Sequence, residues 1–190
     1  GSTDEIDQRP PDELLPEMPG TDPVATLPFF AQLTWSNVPD LDLHATGPNP
    51  NGIGRFHVFF ATPRGPDGPD GRPLVELGAV DSSLERSEVL SFNGLSEGGV
   101  TRVSVFNFSD QTEGSTSLAQ QADATVSLLR NGLIERGPGG SVVIEGDLID
   151  QVRPPEDGAG NTFVAYEIAP DGTATPVRRF TDFPNAVAVE

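Results

Sequence analysis

Turn-forming residues interrupt this chain at intervals of about ten residues, and that spacing confines it to short extended elements. With 21 Gly and 19 Pro among 190 residues, no window is left in which a long helix could run unbroken. Between the breaks lie runs rich in Val, Leu, Phe and Thr, the pattern of an all-β sandwich or barrel. Strands are predicted over Pro28 to Trp35, Asp40 to Thr46, Arg55 to Ala61, Leu74 to Val80, Ser87 to Phe92, Val100 to Ser109, Ala124 to Arg130, Ser141 to Gly146, Thr162 to Ala169 and Thr175 to Phe180. Only Ser117 to Asp123 leans towards helix. The expected fold is an antiparallel β-sandwich of about eight to ten short strands over residues 24–190.

Residues 1–23 read instead as a disordered acidic linker. Asp4, Glu5, Asp7, Asp12, Glu13, Glu17 and Asp22 face the single Arg9, and five prolines forbid a helix. Gly1-Ser2 looks like a cleavage scar, and such a leader is expected in a module of a longer, multidomain protein. The formal charge of −18, with eleven Arg and no Lys, disfavours nucleic acid and anionic membranes as partners, and no nucleic acid is expected, because such affinity rests on cations neutralising phosphates. No stretch reaches the roughly 20 apolar residues of a membrane-spanning helix, so direct insertion is not expected. With no cysteine there is neither a disulfide nor a thiolate metal site.

Two local signals refine the strands. Asn131-Gly132 after Leu128-Leu129-Arg130 predicts a two-residue hairpin turn, since both central positions of a type I′ turn need positive φ. Pro170-Asp171-Gly172 predicts the turn between the last two strands. In Val103 to Phe108 the apolar parity switches between Val105 and Phe106. Either the strand is buried on both faces or a bulge reverses the phase, and the bulge is the favoured reading.

The chemistry concentrates around the only two histidines. In Asp40-Leu41-Asp42-Leu43-His44, Leu41 and Leu43 share one parity while Asp40, Asp42 and His44 share the other. Phe56, Val58 and Phe60 repeat the apolar parity and leave His57 on the polar side. A symmetric hairpin closed through the loop Gly47 to Gly54 sets His44 directly opposite His57, with Cβ atoms about 4.5–5.5 Å apart. Two imidazoles and the Asp42 carboxylate then form a three-ligand set for zinc, with Asp40 along the same stripe and Asp81 as a further contributor. Calcium competes for Asp40, Asp42 and Asp81, with the histidines as supporting groups, and the Asp67/Asp70 loop offers it a weaker seat. An Asp–His hydrogen-bond network without metal accounts for the same residues.

Trp35 and Phe59 are candidate stacking platforms for a sugar ring, although a Trp at a strand end also serves as core packing. The polar stripe with zinc and an open position for water would make a metal-dependent hydrolase. No cysteine is present and both histidines lie in one hairpin, so nucleophilic catalysis has little support. Gly98-Gly99 and Gly137 to Gly140 open no helix, and they read as turns, not phosphate cradles.

Leu33-Thr34-Trp35 followed by Asp40-Leu41-Asp42-Leu43-His44-Ala45-Thr46-Gly47-Pro48, and then Arg55-Phe56-His57-Val58-Phe59-Phe60, resembles the signature of YfaP-like bacterial domains. Val80-Asp81-Ser82-Ser83 and Arg102 to Ser109 are similar to further motifs of that family, in order, over about residues 30 to 178. Ser82 stands where a second Asp is usual, and Phe106 where a His often sits. The resemblance implies an exported β-sandwich module of a bacterial surface, envelope or secreted protein. Its expected role is adhesive or binding, with a protein or glycan partner and no catalytic residues.

Overall fold

The computed structural model describes residues 21–78 and 86–182. It is a β-sandwich of twelve strands: β1 Phe29–Thr34, β2 Asp42–Pro48, β3 Arg55–Val58, β4 Val75–Leu77, β5 Ser87–Phe92, β6 Thr101–Phe106, β7 Thr125–Arg130, β8 Leu133–Gly137, β9 Gly140–Ile144, β10 Asp147–Val152, β11 Thr162–Ile168 and β12 Ala174–Thr181. One helical turn, α1 Ser117–Gln120, precedes β7. The first sheet runs β10-β7-β1-β5-β9-β8, with β4 also on β5; the second runs β12-β11-β6-β2-β3. Nearly all pairings are antiparallel. The exception is one parallel contact, Ser87 with Gly140, where β9 meets β5. No helix among the described residues is long and apolar enough to cross a membrane.

The two inner faces make the core. In β1, Phe29, Ala31 and Leu33 point inward while Phe30, Gln32 and Thr34 are half-buried, the period-2 alternation of a strand with one face in the core. Phe29 stacks on Phe92 of β5 at 4.6 Å. Leu43, Val103, Val105, Phe163 and Ile168 supply the facing layer. Trp35 and Tyr166 are both buried. The Tyr166 hydroxyl donates to Asp150 Oδ2 at 2.8 Å and so ties β11 to β10 across the sandwich. Burial and that carboxylate push the Tyr166 hydroxyl pKa far above its ordinary value.

Several expectations change in three dimensions. The β2–β3 register pairs Thr46 with His57 and Ala45 with Val58, two residues away from the symmetric closure expected. Gly47 and Pro48 remain in the strand, and the loop shrinks to 49–54, closed by Asn49 N donating to Gly54 O. β6 pairs regularly with β2 along its length, so it carries no bulge and is buried on both faces. The register shift falls in β11, between Val164 and Tyr166. Asn131 and Gly132 take the expected positive φ, 59° and 84°, yet β7 does not pair with β8. The turn instead launches a β8–β9 hairpin arm, after which β10 returns to pair with β7. The Pro170-Asp171-Gly172 turn joins β11 to β12 as expected, with Thr173 N donating to Asp171 Oδ1.

Candidate functional site

The outer face of β2 is not open. Asp42 and His44 are only 4% and 2% exposed, and Thr46 is buried with them. The cover comes from two places. Phe106, opposite Asp42 across the β6 ladder, lies over the stripe from one side. From the other side, the chain leaves β3 and closes a turn in which Phe59 and Thr62 exchange both backbone hydrogen bonds. That turn brings the Phe59 ring onto His57, stacked at 4.3 Å and 18°, and within 5.3 Å of His44. It also throws Phe60 outward, 45% exposed, where strand parity had placed it in the core.

The result is a closed circuit of five rings. His44 meets Phe59 at 5.3 Å, Phe59 meets Phe60 at 5.3 Å, Phe60 meets Phe108 at 6.0 Å, Phe108 meets Phe106 at 6.4 Å, and Phe106 meets His44 at 5.9 Å. Three of these contacts are edge-on, the geometry in which a positive ring edge meets a negative ring face. His44 is the buried root of the circuit, and Phe60 and Phe108, each 45% exposed, form its rim.

The imidazoles do come together. His57 Nε2 and His44 Nδ1 are 2.9 Å apart, one ring donating to the other. Among the described residues no three His, Asp or Glu side chains gather where a metal could sit. Asp81 lies outside the described residues. Asp67 and Asp70 are occupied by Arg64 and Arg72 at 2.6 and 2.8 Å.

Burial sets the electrostatics. It lowers the His44 pKa to about 3, with the neighbouring His57 acting in the same direction, so His44 is neutral at ordinary pH. Burial raises the Asp42 pKa to about 7, with repulsion from Asp40 adding to it. Asp42 Oδ2 has no hydrogen-bond partner among the described residues, a costly arrangement for an anion and a milder one for a neutral acid. Asp40 is raised as well, through burial, which the nearby Arg86 opposes. Arg86 itself donates to the carbonyls of Val38 and Pro39. Glu88 reaches from β5 in the other sheet to accept the Leu43 N–H at 2.7 Å.

Trp35, a candidate stacking platform, is 5% exposed and packs in the core, so it presents no face to a ligand. Phe59 is half-buried inside the circuit. The rim residues Phe60 and Phe108 carry the exposed aromatic surface instead. Sequence reading missed Phe108 because strand parity alone does not reveal that β6 ends at Phe106. The signal available was the density of rings, three Phe in Phe59-Phe60 and Phe108 beside two His. No family model, curated protein or solved structure matches the chain.

Proposed function

We propose that this β-sandwich is a non-catalytic binding or assembly module of an exported bacterial surface or envelope protein, and that it meets its protein or glycan partner through the aromatic rim. The observation that carries this reading is the pair of adjoining, half-exposed rings Phe60 and Phe108 at 6.0 Å, held in place by a buried circuit. Adjoining exposed apolar groups mark contact surfaces more often than isolated ones. Rings whose backs are already packed lose little freedom when a partner arrives. The neutral, buried His44 supports a scaffolding role over one in proton transfer. Export and membership in a longer protein rest on the sequence resemblance.

The test compares wild type with the Phe60→Ser/Phe108→Ser double variant on a glycan array and in concentration-dependent sedimentation. Wild type is expected to bind a sugar or to self-associate, and the folded variant to do neither. A variant that keeps every interaction of the wild type would sink the proposal.

A further inference from the structure

A second site lies on the side of the sandwich where β10 ends one sheet and β12 ends the other. A cleft of about 560 Å³ opens there, lined by residues that include Asn37, Asp123, Arg153, Glu156 and Arg178. Its backbone is unusual. Five non-glycine residues among those described have left-handed φ, and three of them line this cleft: Asn37 at 66°, Asp123 at 46° and Arg178 at 51°. Asn and Asp tolerate that conformation; an arginine does so only at a cost. Strain of this kind gathers at functional positions.

The register explains how Arg178 is held there. Between Tyr166 with Pro176 and Val164 with Arg179, β12 carries more residues than β11, and Arg178 sits in that irregularity. Bulges re-aim a side chain, and this one delivers a guanidinium to the cleft. Arg153 lines the cleft too, but it is paired with Asp123 at 3.1 Å. Arg178 has no ion pair among the described residues.

The edge of β12 already shows what it accepts. Val24 bridges Thr173 in antiparallel fashion, Ala174 N donates to Pro23 O, and Thr175 Oγ1 donates to Asp22 Oδ2 at 2.8 Å. An extended stretch carrying a carboxylate thus lies along the start of this edge, antiparallel to β12, with Asp22 at the end nearer Arg178. Strand addition of this sort takes affinity from the main chain and specificity from alternate side chains.

We propose that this cleft and the exposed part of the β12 edge dock an extended peptide segment of a partner protein, with Arg178 pairing to a single central acidic side chain. The inference uses none of the residues of the aromatic rim, so either can fail alone. The probe is a capped pentapeptide, Val-Thr-Glu-Thr-Val, with its glutamine counterpart as control, titrated into the full chain and followed by amide chemical shifts. Shifts are expected along Thr175 to Phe180 and at Arg153, at least tenfold weaker with the glutamine peptide and with Arg178→Glu. Arg178→Gly supplies the second readout: it should raise the melting temperature by about 2–4 °C, because glycine accepts the left-handed φ, while weakening peptide binding tenfold. No shifts, equal affinity for both peptides, or a lowered melting temperature in Arg178→Gly would overturn the proposal. Binding seen only after Asp12→Asn, Glu13→Gln and Glu17→Gln in the full chain would mean that this chain's own acidic segment competes for the cleft, and would overturn assignment to a partner.

Discussion

At the scale of single residues, Asp42 and His44 are two buried groups with opposed pH behaviour. Asp42 has a folded pKa of about 7 against an ordinary 3.8. The stability it contributes is therefore fully present below pH 3.8 and is lost as pH rises through 7. His44 has a folded pKa of about 3 against 6.5. Its contribution is present above pH 6.5 and is lost as pH falls through 3. Each window spans about three pH units, which at ~1.4 kcal/mol per unit gives on the order of 4 kcal/mol. Between pH 4 and 6.5 the two slopes largely cancel, so the wild-type melting temperature should change little through their action. Asp42→Asn should leave a chain that loses stability on acidification across that range, and His44→Gln one that gains it. Melting curves from pH 4 to 7 check this. Parallel profiles for both variants would remove the opposed-pair account.

At the scale of elements, the β8–β9 arm is the weakly attached part of the first sheet. Among the described residues its one ladder pairing with β5 is the parallel one of Ser87 with Gly140, backed by Arg86 N and Ser87 Oγ donating to Gly139 O and by Val143 N donating to Gln32 Oε1 of β1, and every residue of β8 is exposed. Gly140 has φ 108°, and a Cβ there would come within 2.2 Å of the Ser87 carbonyl oxygen. Gly140→Ala should release the arm, so that amide protection in Leu133 to Ile144 falls to the level of local opening while β1 and β7 keep theirs. Equal loss of protection in all four strands would contradict this. The same arm shows where sequence reading stops. The alternation of Phe29, Ala31 and Leu33 announces β1, but Leu133-Ile134-Glu135-Arg136 has no buried face to impose a period, and β8 is absent from the predicted strands. Asp147-Leu148-Ile149-Asp150 hid β10 in the same way, with a register shift between Leu148 and Asp150. At the candidate site, the pairing of the two imidazoles was legible from parity. The depth of His44 was not, because Phe106, which covers it, belongs to a strand distant in sequence and adjacent only after folding.

At the scale of the whole molecule, the formal charge of −18 acts against compactness. Like charges crowded onto one surface repel, and salt screens that repulsion over a Debye length of about 10 Å at 0.1 M. Raising sodium chloride from roughly 0.01 to 1 M, where the screening length falls about tenfold, should raise the melting temperature, in contrast to a chain held by surface ion pairs. A temperature that falls with salt would mean that pairs such as Arg102–Glu167 at 3.1 Å outweigh the general repulsion. The chain's one Trp and one Tyr are both enclosed between the sheets. Their fluorescence and near-ultraviolet dichroism therefore watch the inside of the sandwich and nothing else: emission will redden when the sheets part, while an event on the phenylalanine rim will pass in optical silence and must be followed by a label or by resonance methods.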